Sequence, residues 1–223
     1  MFANFFNFLR FIFSARHTLG FGVHSPFVYN FLRFTVYVGE NYYIYNRVEQ
    51  QRFNLNLRNE LSARWGQALF RTVRQFNPEN IVEIGAKRGI STAYLAANSS
   101  KSICLTLGKT DAKAAAEKLF KNLKLNNITY CETEKILFEK IEKLNKIDFL
   151  YIAEDIISMD NLTKNIFSKL SEKAIIVIKK PENGKLWKTL VNSTHITAAV
   201  DLFYLGIAFT NSDLQKKEYR AIY

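Results

Sequence analysis

From residue 80 onward the chain alternates short apolar runs with amphipathic stretches, and few folds accommodate that rhythm. Ile81-Val82-Glu83-Ile84 reads as a short buried strand that stops at Gly85. Ser91 to Ala97 suits a helix. Ser102 to Leu107 reads as a second strand, Ile128 to Cys131 as a third, Ile147 to Ala153 as a fourth and Ala174 to Ile178 as a fifth. Between them, Ala112, Ala115, Ala116, Leu119 and Leu123 share one helix face, with Asp111 as its cap. Ile136, Leu137, Ile141 and Leu144 share the face of another helix. Residues 160–170 and Gly184 to Val191 read as further helices, and the runs at 196–203, 205–210 and 218–223 as a terminal meander of strands. The alternation predicts an α/β fold with a doubly wound, mainly parallel sheet, and places ligands at the carboxyl ends of the strands.

The first third is built differently. Residues 1–75 hold nine Arg, no Lys and three Glu, a balance of +6 out of the +11 carried by all 223 residues. Most of the Phe also sits there. This shift predicts a helical, aromatic extension over 1–60 followed by a Rossmann-like domain over 61–223. Phe2, Phe5, Phe6, Phe8, Leu9, Phe11, Ile12 and Phe13 leave only a narrow polar stripe, so a helix here packs on its own protein or on a second copy. A membrane-surface helix is the alternative, since the segment is too short to span a bilayer. Ser25 followed by Pro26 reads as the start of a helix through about Tyr37. His24 beside it reads as a structural hydrogen-bonder. Residues 39–59 read as a linker with short helical pieces. Leu61 to Phe76 has helical spacing that Asn77-Pro78 ends.

Two Cys make no disulfide framework and suit a reducing compartment; Cys104 and Cys131 read as buried thiols in neighbouring strands. No signal-peptide pattern or long apolar span is present, so the expected location is cytoplasmic. The basic balance fits an anionic ligand, but zinc-finger spacing, an RRM signature and a dense basic helix are all missing, so nucleic acid is not an expected partner.

The turn between Ile81 and Ala97 carries the chemical signal. Gly85 lets the chain turn tightly and lets a ligand approach the backbone. The spacing Gly85…Gly89 is not a G-x-G-x-x-G, and no G-K-[ST] follows. On spacing alone, a nucleotide-like ligand and a purely structural turn stay equally open.

Glu83-Ile84-Gly85-Ala86-Lys87-Arg88-Gly89-Ile90-Ser91-Thr92-Ala93-Tyr94-Leu95-Ala96 resembles the first motif of class I S-adenosylmethionine (SAM)-dependent methyltransferases. More narrowly, the chain is similar to a bacterial subgroup of the small-molecule O-methyltransferase type. That subgroup's G-V-H-S-P-F segment is matched by Gly22 to Phe27, its L-L-F-R-x-V helix by Ala68 to Val73 and its D-L-F-x-x-G-I-x-F tail by Asp201 to Phe209. The resemblance implies a seven-stranded Rossmann-like sheet with SAM as cofactor. It assigns cofactor binding to Glu83, Gly85, Ala86, Gly89, Ser91, Leu107 and Ala153.

Several of these positions depart from the family pattern. An acid that holds the cofactor ribose is replaced by Leu107, the Asp ending the fourth strand by Ala153, and two Asp ending the fifth by Lys179 and Lys180. The resemblance therefore implies a methyltransferase-family protein with a degenerate site, acting by binding a small-molecule or anionic ligand. The alternative is an active enzyme transferring a methyl group to a small oxygen acceptor, with His24, Glu154 or Asp155 as base. Glu154, Asp155 and Glu182 are the carboxylates that could hold a metal; Lys179 and Lys180 compete with a cation there, so no metal is expected. A homodimer through the aromatic first helix is the expected assembly.

Overall fold

The computed structural model describes residues 11–12, 17–18, 24–154, 156–180 and 184–223. In chain order the strands are β1 His17–Thr18, β2 Asn80–Ile84, β3 Ile103–Leu107, β4 Ile128–Cys131, β5 Ile147–Ile152, β6 Leu170–Lys179, β7 Ala198–Asp201, β8 Leu205–Phe209 and β9 Lys217–Ile222. The longer helices are α1 Pro26–Phe31, α2 Tyr43–Asn54, α3 Ala63–Phe76, α4 Ile90–Ala96, α5 Thr110–Leu123, α6 Glu134–Ile141 and α7 Gly184–Asn192. Contacts gather the residues into two compact units, one of Gly39–Ser171 and one joining the described residues up to Val38 with Glu172–Tyr223. The composition shift near residue 60 thus falls within a unit, because α2 packs with the segments that follow it.

In the unit Gly39–Ser171, four parallel strands lie in the order β5, β2, β3, β4. Their near-continuous apolar runs reflect burial on both faces. Glu83 and Thr106 are the buried polar residues of these strands, and the β2–β3 register sets them side by side. Every residue of α4 is buried. Residues 39–59, expected as a linker with short helical pieces, hold the twelve-residue α2. The reason lies in its inward residues: Tyr45 and Val48 join Phe70, Tyr94, Phe120 and Leu123 in one apolar cluster. Tyr45 and Phe70 meet edge to face at 5.5 Å. A Cβ on Gly66 of α3 would fall 2.4 Å from the Tyr94 ring, so only glycine lets α3 approach α4 this closely. The Tyr94 hydroxyl donates to Glu49 of α2 at 2.9 Å, and Glu49 also pairs with Arg52.

Helix ends follow the sequence in most places. Asn77 closes α3 in the left-handed conformation, φ 45°, just before Pro78. Thr133 caps α6 through a 3.3 Å bond from the Ile136 amide. Asp111 does not cap α5; Lys109 holds the cap position and Asp111 stands in the first turn, where the helix's positive end favours a carboxylate. The helix expected over 160–170 is broken into a short turn at Met159–Asn161, a π-helical turn at Leu162–Ile166 and a 3₁₀ turn at Phe167–Lys169, and β6 starts directly after it.

In the other unit the strand order is β6, β8, β7, β9, β1. β8 runs antiparallel to β6 and β7, whereas β9 is parallel to β7 and β1 parallel to β9. The tail is therefore not a simple meander: β9 passes β8 and pairs with the far edge of β7. β1 and β9 bring the strands among the described residues to nine, against the seven expected. Ser25 caps α1, accepting from the Val28 amide at 3.4 Å, with Pro26 at the first helical position. Phe27 and Phe31 meet Phe209 edge-on, at 5.1 and 5.3 Å. The aromatic helix expected near residue 1 lies outside the described residues except for Phe11 and Ile12; Phe11 packs on Phe203 at 5.3 Å. Among the described residues, no helix is long and apolar enough to cross a membrane.

Candidate functional site

At the carboxyl ends of β2, β3 and β5 the chain leaves a cleft of about 370 Å³. Its walls come from four stretches: Arg58–Glu60, the turn Gly85–Arg88, the β3–α5 corner at Gly108–Ala112, and Glu154 with Ile156. Parallel strands place it there, because their carboxyl ends release loops on the same side.

The β2–α4 turn is fixed by backbone geometry. The amides of Gly85 and Ala86 both donate to the Leu107 carbonyl at 2.9 Å, tying the turn to β3. Gly85 has φ +90°, and a Cβ there would lie 2.8 Å from the Glu154 amide nitrogen. Gly89 has φ +91°, and a Cβ there would lie 2.7 Å from the Phe120 ring. Gly85 therefore admits the Glu154 backbone and Gly89 admits α5, so both glycines have structural duties. Gly85 alone of the two lines the cleft.

Glu83 is wholly buried and does not line the cleft. One carboxylate oxygen accepts from the Ser91 hydroxyl; the other accepts from Thr92 and, at 2.8 Å, from Thr106. Burial pushes its acid dissociation above the ordinary value, and the three hydroxyl donors pull the other way. Glu83 and Ser91 thus bolt β2, β3 and α4 together. Leu107 ends β3 with its side chain only 3% exposed, and Ala153 follows β5 buried, its amide donating to the Ile84 carbonyl at 2.8 Å. Of the seven positions assigned to the cofactor, Gly85 faces the cleft, while Glu83, Ala86, Gly89, Ser91, Leu107 and Ala153 shape the scaffold around it.

Charged side chains crowd the cleft. Lys87, at φ +46°, pairs with Glu154 at 3.3 Å. Arg88 pairs through Nε with Glu60 at 3.2 Å and donates to the Arg58 carbonyl, and the Glu60 side chain is 3% exposed. These pairs engage two of the three lining carboxylates. Asp111 is the third. Arg58 and Lys109 complete the set of four cations.

Tyr130 of β4 ties together two of the loops that line the cleft. Its hydroxyl lies 2.9 Å from the Lys109 carbonyl and 3.2 Å from the Lys87 carbonyl, so its one proton is shared between two loops. A Cβ on Gly108 would fall 2.1 Å from that oxygen; glycine is required beneath the ring. Burial, followed by the nearby carboxylates, raises its acid dissociation. Tyr130, Arg58, Glu60 and Lys109 were not among the sequence candidates. The signal for Tyr130 was a glycine just past one strand and a tyrosine near the end of its neighbour.

The remaining candidates lie elsewhere. His24 is exposed beside Ser25. Asp155 and Glu182 lie outside the described residues. Lys180 is paired with buried Asp201 and stands 5.5 Å over the Trp187 ring. Asp201 also accepts the Phe203 amide at 2.8 Å. The charge of Lys180 is thus met within its own unit. Cys104 and Cys131 are buried free thiols on adjacent strands, and burial pushes Cys131 up to about 11.

No family model matches the chain, and no curated protein matches it. Solved structures do. The O-methyltransferase from Bacillus cereus in complex with S-adenosylhomocysteine (SAH) aligns at TM-score 0.62 and 18% identity, over 78% of this chain and 93% of that one. The O-methyltransferase TomG from Streptomyces achromogenes, involved in tomaymycin synthesis and solved with SAM, aligns at TM-score 0.62 and 12% identity, over 80% of this chain and 94% of that one. A methyltransferase from Geobacter sulfurreducens aligns at TM-score 0.61 and 15% identity, over 78% and 92%. Likeness at these identities speaks for the fold: the chain has the Rossmann-like α/β fold of these methyltransferases.

Proposed function

We propose that the chain is a SAM-dependent methyltransferase-family protein whose cofactor site is degenerate and which acts by binding rather than by catalysis. The observation that carries this reading is the pair Leu107 and Ala153. Both are apolar and buried at strand ends where the resemblance calls for acids. An apolar residue accepts no hydrogen bond from a ribose hydroxyl, and leaving such a bond unmade costs about 1–3 kcal/mol. Of the three carboxylates that reach the cleft, two are already in use, Glu60 on Arg88 and Glu154 on Lys87, and the third, Asp111, stands in the first turn of α5.

The second reading is an active methyltransferase with a small oxygen acceptor. It draws on the likeness to enzymes solved with SAH and SAM, and on Glu154, a carboxylate at the cleft that would serve as base once parted from Lys87. The two separate in one assay: purified protein, SAM labelled in the methyl group and a panel of hydroxyl-bearing small molecules. The proposal expects no transfer above the protein-free blank. Sustained turnover on any acceptor would overturn it and establish the second reading.

A further inference from the structure

We infer that the cleft beside Gly85 takes a nucleoside phosphate, with Arg58 and Lys109 as its phosphate-binding cations. The inference rests on the binding role proposed above and names the ligand class. Seven charged residues line the cleft, four cations and three acids. Arg88 and Lys87 are held by Glu60 and Glu154. Asp111 stands in the first turn of α5, where the helix's own positive end stabilises it. Arg58 and Lys109 remain, and among the described residues neither has a carboxylate partner; the Arg58 guanidinium donates to the Asn56 side chain, at 2.9 Å. Two cations without ion-pair partners in one cleft, against the single unpaired acid Asp111, leave an excess of positive charge that attracts an anion, and a guanidinium fits phosphate oxygens with paired donors.

Size and lining choose among anions. About 370 Å³ far exceeds what inorganic phosphate fills, and Gly85, Gly108, Ala112 and Ile156 supply uncharged wall for a nucleoside. SAM fits the same walls poorly: its sulfonium and ammonium outweigh its one carboxylate, so a net cation would enter a cleft that already carries excess positive charge.

The test is calorimetric titration of the full chain with ADP, adenosine, SAH and inorganic phosphate, repeated at higher salt. ADP should bind at least tenfold more tightly than each of the others, and its affinity should fall with salt. Arg58→Ala and Lys109→Ala should each weaken ADP about tenfold, the scale of one lost charged hydrogen bond, with the melting temperature unchanged. Adenosine or SAH binding as tightly as ADP would overturn the phosphate assignment while leaving a binding cleft. Phosphate alone matching ADP would overturn the nucleoside. Absence of binding by all four would overturn the inference outright. The binding-only reading fails separately, through methyl transfer in the acceptor assay.

Discussion

Glu83 shows how one residue can carry a family motif and still have a purely internal duty. Its carboxylate is saturated by Ser91, Thr92 and Thr106, and it is wholly buried. Because its dissociation is raised in the folded protein, folding favours the protonated form. Its contribution is therefore complete below the ordinary glutamate value and declines as pH rises through the higher folded value. Glu83→Gln, which carries no titrating group, should lack this decline. Urea unfolding from pH 4 to 8 should show the stability of the variant gaining on that of the natural protein as pH rises; parallel curves would contradict the raised dissociation. Gly89 is a second residue-scale case. Gly89→Ala places a methyl 2.7 Å from the Phe120 ring at a φ of +91°. Strain and overpacking together should cost about 2–4 kcal/mol, read from the urea midpoint.

At the scale of elements, the cleft depends on loops that parallel strands release together. Tyr130 joins two of these loops through the Lys87 and Lys109 carbonyls. Tyr130→Phe keeps the ring over Gly108 and removes only the hydroxyl. The loss should be about 1 kcal/mol, with faster amide hydrogen exchange at residues 86–88 and 109–111 and no change in β4. Unchanged exchange in both loops would show that the hydroxyl does not brace them. The elements were largely legible in the sequence. Mainly apolar runs of four to seven residues gave β2 to β5 to within a residue or two, and Asn77-Pro78 marked the end of α3. α2 was missed because its inward surface is aromatic and sparse. Tyr45 and Val48 are buried among partners up to 78 residues away, Leu123 among them, while Tyr43 and Phe53 of the same helix are exposed. No local period reveals such a surface. Asp111 was misplaced for a related reason: an acid is favoured both at the cap and in the first turn, so its type alone does not fix the helix start.

At the scale of the molecule, the fold and the departures from the motif were legible, and the cleft's electrostatics were not. Leu107 and Ala153 stand at strand ends as the spacing implied. Lys180 stands where the resemblance calls for an acid at the end of the fifth strand. The structure commits that lysine to Asp201, 21 positions later, a pairing that no local pattern announces. The cations left for a ligand, Arg58 and Lys109, come from segments 51 positions apart that only folding brings to one cleft. The formal charge of +11 accordingly says less about function than the small excess of cations inside that cleft. The most direct test of a degenerate cofactor site is calorimetric titration of the full chain with SAH, the product form that needs no acceptor. The expected result is no saturable heat in the micromolar range, because β3 ends in Leu107 and the cleft's available charge is positive. One-to-one binding at micromolar affinity would contradict it.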